Sequence, residues 1–145
     1  MAVRMAGFTF MLLATLTAAQ TPEEDLKKMA GTWRVAEAEL AGEKLPLETL
    51  KKITLTIKDG KYITRVGETI DEGKLKIYPD KRPKGMDIIG GEGPNKGKTY
   101  PAIYEFAGNS LLICYDLSEK KRPEAFKTEK GSQLFLASYK REKVK

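Results

Sequence analysis

The 145-residue sequence contains no histidine. That absence removes serine–histidine and cysteine–histidine nucleophilic pairs, imidazole metal ligands and histidine proton shuttles together. Cysteine occurs once, at Cys114, so no disulfide can form within the chain. A chain of this length buries roughly two-thirds of its unfolded surface and needs neither a disulfide nor a metal to hold it. No apolar run approaches the ~20 residues of a membrane-spanning helix. Phosphate-binding loops are missing too: Gly90-Gly91-Glu92-Gly93-Pro94-Asn95-Lys96-Gly97 is glycine-rich, but no helix follows to offer its N-terminus. It reads as a turn. No metal site and no cofactor are implied.

What is present is a mixture of 41% hydrophobic and 32% charged residues, the balance of a folded soluble domain. The net charge is +6, yet lysines are spread along the chain among Asp and Glu. The only dense basic stretch is Lys140-Arg141-Glu142-Lys143-Val144-Lys145. That distribution fits solvated outer strand faces better than a nucleic-acid footprint. An anionic envelope component, lipid or polysaccharide, is the better-matched surface.

Residues 1–19 have the layout of a secretory signal peptide: Arg4, the apolar run Phe8-Thr9-Phe10-Met11-Leu12-Leu13-Ala14, then small residues ending at Ala19. Cleavage there leaves residues 20–145 as one domain, periplasmic or extracellular. Only Arg4 is lost among the charged groups, so the net charge falls from +6 to +5.

Thr21-Pro22-Glu23-Glu24 reads as a helix start, with a capping threonine, proline in the first turn and acids at the positive dipole end. Gly31 ends this short helix, and alternation of period two takes over. Strands are expected over 32–40, 52–58, 61–66, 74–78, 86–89, 100–106, 110–115 and 133–140, with a helical turn at 47–50. Asp59-Gly60 is a two-residue hairpin signal. The longest loop spans 116–130. About eight sequential antiparallel strands with a short N-terminal helix predict an all-β, up-and-down barrel. A two-sheet sandwich is the alternative.

Gly31-Thr32-Trp33, opening the first strand after a short helix, resembles the Gly-X-Trp signature of lipocalin-like (calycin) barrels. The resemblance implies structural roles for Gly31 and Trp33, the indole plugging the closed end. It also implies a basic residue of the last strand packed over that indole: Arg141, with Lys140 second. The ordered set of Asp71-Glu72-Gly73, residues 92–99, Ile103-Tyr104-Glu105, Leu112-Ile113-Cys114-Tyr115 and Arg122-Pro123-Glu124-Ala125-Phe126 is similar to an uncharacterised planctomycete-type family of small exported, lipocalin-like domains. That similarity covers about residues 25–143. It implies the fold and export, and assigns no activity. The larger lipocalins' disulfide pairs and remaining signature segments are absent.

Cys114 lies in Leu111-Leu112-Ile113-Cys114-Tyr115 and reads as a small buried hydrophobe rather than a reactive thiol. The pairs Glu23-Glu24 and Asp71-Glu72 read as solvated charge, because adjacent residues on a strand face opposite ways and cannot flank one substrate. Tyr62, Tyr100, Tyr104, Phe106, Tyr115, Phe135 and Tyr139 are the aromatics that either line a cavity or fill a solid core. Of these, Tyr100, Tyr104 and Phe106 share a strand face and are the candidate ligand contacts. Arg122 and Phe126 join them as a barrel-mouth lid or anion contact, or else form a self-contained loop with Arg122 on a local acid. The reading is an exported, monomeric, non-catalytic binding module for a small apolar molecule or envelope component. Its rival is a protein-interaction or inhibitor domain working through loops, and an enzyme using carboxylates or arginine comes third.

Overall fold

Helix α1, Pro22–Met29, opens the described part of the chain; the computed structural model describes residues 21–143. The signal-peptide segment lies outside those residues. Thr21 caps α1, its hydroxyl accepting from the Glu24 amide at 3.4 Å. Asp25 and Met29, one turn apart, form its buried face.

Strands follow as β1 (Gly31–Leu40), the two-residue β2 (Glu43–Lys44), β3 (Ile53–Lys58), β4 (Lys61–Val66), β5 (Thr69–Tyr78), β6 (Gly85–Glu92), β7 (Thr99–Ala107), β8 (Ser110–Asp116) and β9 (Leu134–Arg141), with the one-turn helix α2 (Leu47–Leu50) before β3. Every pairing is antiparallel, and β3 to β9 neighbour one another in chain order. Long β1 joins both ends. Its first half pairs with β3 from Gly31 to Arg34, and Trp33 to Leu40 pair with β9. Eight strands thereby close into an up-and-down barrel, with β2 an outlying ribbon on β1. Closure leaves no long hydrogen-bonding edge exposed.

Local chemistry explains the corners. Asp59 and Gly60 both take positive φ, 52° and 73°, the geometry of the tight hairpin between β3 and β4. Two boundaries shift. Gly73, readable from sequence as a turn or a bulge, is an irregularity inside β5, where the register to β6 slips between Glu72 and Gly73, so the strand begins at Thr69 rather than at Lys74. Gly90 and Gly91 belong to β6, and the turn itself occupies residues 93–97.

Alternation fills the interior from the eight barrel strands: Val35, Leu55, Ile57, Tyr62, Ile77, Met86, Tyr104, Ile113 and Tyr139 are buried in one cluster with Trp33 and Met29. Met29 has no exposed surface, and a side chain of that size contributes roughly 2 kcal/mol by burial. Helix α1 thus plugs one end. The Trp33 indole N–H donates to the Met29 carbonyl at 2.8 Å. Arg141 lies 4.2 Å from the indole centroid and donates to the Lys28 carbonyl at 2.6 Å and to the Ala30 carbonyl. The cation stacks on the ring and ties the helix end to the last strand. Of the two candidates, Arg141 and not Lys140 takes this place.

Candidate functional site

With α1 filling one end of the barrel, the space that remains is a cavity of about 270 Å3 within the wall. Leu55, Ile57, Leu75, Met86, Ile88 and Ile113 supply its apolar lining. Four tyrosines also face it: Tyr62 from β4, Tyr100 from β7, Tyr115 from β8 and Tyr139 from β9. The Tyr100 and Tyr115 rings are 5.8 Å apart, and Tyr115 leans on Phe135 at 5.2 Å.

Among the described residues, Asp71 is the one carboxylate on the lining, and no lysine or arginine joins it there. It is buried and accepts from the Tyr62 hydroxyl at 3.0 Å, the Asn95 amide at 3.0 Å and the Asn95 side-chain nitrogen at 2.8 Å. Asn95 in turn accepts from the Tyr100 hydroxyl at 2.8 Å. Tyr62, Asp71, Asn95 and Tyr100 therefore form one polar chain on an otherwise apolar wall. It also fastens the 93–97 turn across the cavity, where Pro94 and Asn95 contribute to the lining. Gly93 makes that approach feasible. Its φ is +97°, and a Cβ there would sit 2.5 Å from the Ile70 carbonyl oxygen.

The reading of Asp71-Glu72 as solvated charge is corrected. Glu72 is exposed, but Asp71 is buried. Period-two alternation turns one acid outward and its neighbour into the barrel. Glu23 and Glu24 are exposed as expected.

Burial lifts the phenols above their ordinary range. For Tyr62, burial acts first, then the charge and hydrogen bond of Asp71. Tyr100 is raised by burial, then by Glu119 and Asp71. Tyr115 is raised by burial and its neighbours Tyr139, Tyr100, Tyr62 and Asp71, while burial alone pushes Tyr139 up to about 12. All four are neutral donors at physiological pH. The hydroxyls of Tyr115 and Tyr139 have no hydrogen-bond partner among the described residues, which leaves both for a guest.

The five sequence-predicted contact residues divide among three places. Tyr100 lines the cavity. Tyr104, Phe106 and Phe126 meet at a separate surface cleft beside α1, with Lys28, Arg82 and Lys84. There the Tyr104 hydroxyl donates 2.7 Å to the fully buried Asp25, whose same oxygen receives Lys84 Nζ at 2.9 Å. The other Asp25 oxygen is buried without a partner among the described residues. Tyr104 and Phe106 meet edge to face at 5.9 Å. Tyr104 thus couples the wall to the plug.

Arg122 lies in neither place. Its guanidinium donates to the Met86 and Ala102 carbonyls at 2.7 and 2.9 Å and to Asp87 at 2.7 Å. Its acid is on β6 rather than nearby in the chain, so Arg122 pins the long loop 117–133 against the barrel wall. Beneath that loop Cys114 is fully buried, its thiol pointing at the Lys127 carbonyl, 3.7 Å away. Burial pushes the thiol pKa up despite that contact. At the loop's root Asp116 accepts from Ser118, Lys120 and Lys121. Burial acts to raise the Asp116 carboxyl, but these hydrogen bonds prevail and hold it below its usual value.

Sequence reasoning missed Asp71 and Asn95 as site residues, and Asp25 as a buried acid, while Tyr62, Tyr115 and Tyr139 are among the aromatics it offers as a cavity lining. Asp25 was detectable as an acid one turn before Met29 on the same helix face. No cluster of His, Cys, Asp or Glu able to hold a metal occurs among the described residues, and no described helix is long and apolar enough to cross a membrane. Comparison with family models, curated proteins and solved structures finds no match.

Proposed function

We propose that the chain is an exported, non-catalytic binding module that holds one small, largely apolar ligand inside its barrel. The observation that carries this reading is the cavity of about 270 Å3, apolar over most of its wall and tyrosine-rich at the rest. An apolar cavity of about 150 Å3 suffices for benzene, so this one suits a guest roughly twice that size. The two unpartnered phenols, Tyr115 and Tyr139, supply orientation, as the few polar groups of ligand pockets do. Export rests on the signal-peptide layout of residues 1–19. Membership of the exported lipocalin-like family is part of the proposal. Two of its ordered motifs, those holding Asp71 and Asn95, meet here in one hydrogen-bonded latch.

Native mass spectrometry of the protein gently purified from its host's envelope tests the reading. The expected result is an excess mass that denaturation releases. A bare polypeptide mass that no small-molecule mixture shifts contradicts it and favours the loop-mediated interaction reading.

A further inference from the structure

The cavity's electrostatics run against those of the chain. The protein carries a net +6, yet among the described residues the cavity wall holds one carboxylate, four tyrosines and no cation. Asp71 has no ion-pair partner among the described residues; three hydrogen bonds from neutral groups are its compensation. A carboxylate offers about four lone-pair sites, so one acceptor position remains. Hydrogen bonds stabilise the charge locally but do not cancel it. A second acid, Glu119, approaches the same end: it raises the Tyr100 pKa and accepts from the Thr99 amide at 2.7 Å.

Aromatic faces add to this bias. The ring quadrupole is negative above and below its plane, and several tyrosines around one space favour a weakly hydrated cation. Tyr100 and Tyr115 are tilted 41° to each other at 5.8 Å, two walls of a corner rather than a flat stack. An anionic guest such as a fatty acid meets the opposite conditions, a buried negative charge and no cation to pair with.

We propose that the guest is an organic cation, a small quaternary or tertiary ammonium compound, seated among Tyr62, Tyr100, Tyr115 and Tyr139 with Asp71 as its counter-charge. This deepens the small-ligand reading and rests on it. The apolar wall takes the alkyl substituents, and because the chain's net charge is positive, recognition of the cation rests on the contacts inside the cavity and not on long-range attraction.

The test compares choline with 3,3-dimethyl-1-butanol, its neutral counterpart with carbon in place of the charged nitrogen. Both are titrated into the purified full chain and followed by NMR chemical shifts of cavity-lining methyl groups. Choline is expected to bind about tenfold or more tightly than the neutral alcohol. Asp71→Asn is expected to abolish that preference, and Tyr115→Leu to weaken choline at least about fivefold, with circular dichroism checking the fold of each. Equal binding of the two compounds overturns the cation inference and leaves the small-ligand reading standing. Saturable shifts with neither compound, nor with larger alkylammonium and alcohol pairs, overturn both. A stronger response to an alkyl carboxylate than to choline overturns the cation inference alone.

Discussion

At the scale of single residues, backbone proximity decides more than side-chain chemistry. Gly93 is constrained twice, by φ of +97° and by the Ile70 carbonyl that a Cβ would meet at 2.5 Å. Gly97 shares a positive φ, +80°, but has open space around it. Gly93→Ala is therefore expected to cost about 2–3 kcal/mol, and Gly97→Ala only about 1 kcal/mol, in urea unfolding. Equal costs would show that the 93–97 turn does not press on β5. Tyr104→Phe is a second residue-scale case. It removes one of the two donors on the buried Asp25 and should destabilise by about 1–3 kcal/mol, read by the same measurement.

These residue-scale facts also show how much of the site the sequence disclosed. The Asp71-Glu72-Gly73 and Gly93-Pro94-Asn95 motifs were visible as motifs, but nothing in the order of residues says that they touch. A span of 24 residues separates Asp71 from Asn95, and the register of β5 on β6 slips beside the acid, between Glu72 and Gly73. Alternation assigned Tyr100, Tyr104 and Phe106 to one face correctly. It could not say that the plug would claim Tyr104 and Phe106 and leave only Tyr100 for the cavity.

Among elements, two attachments matter: α1 on the barrel end and loop 117–133 on the wall. Arg141 secures the first by stacking on Trp33 and bonding two carbonyls at the α1 terminus. Arg141→Lys keeps the charge but loses the planar fork that reaches both carbonyls. Amide hydrogen exchange across α1 should rise well before global unfolding, while that of β7 and β8 stays slow. Arg122 secures the second, and Cys114 beneath the loop reports on it. Native Cys114 should label slowly with a thiol reagent, since it is buried and its pKa raised. Arg122→Ala should accelerate labelling by about tenfold or more through loop opening. Unchanged slow labelling would mean that the loop is held by other contacts.

Element order was the most legible level of all. Alternation, the Asp59-Gly60 hairpin and the Gly31-Thr32-Trp33 start located the eight barrel strands, α1 and α2. The two-residue β2 was missed because it has too few residues to alternate. The single long β5 was expected as a later, shorter strand because glycine ordinarily interrupts one.

For the molecule as a whole, the buried phenols set an alkaline limit. Tyr62, Tyr100, Tyr104, Tyr115 and Tyr139 are all raised above 10.0, with burial the largest cause in each. A raised pKa means that the folded state keeps its proton where the unfolded chain has lost it. Their contribution is complete below pH 10 and declines as pH rises beyond it, the Tyr139 share between 10 and about 12. Denaturation midpoints should fall above pH 10, and ultraviolet titration should show these tyrosinates forming only as the barrel unfolds.

Whether the closed barrel holds a guest can be read from an NMR titration of its methyl groups with toluene. Saturable shifts confined to Leu55, Ile57, Leu75, Met86 and Ile113, which line the cavity, are the result expected of a barrel built to hold a guest. Shifts at the exposed Leu47, Ile70 and Ile89 instead, or none at all, would contradict an apolar ligand cavity inside the barrel.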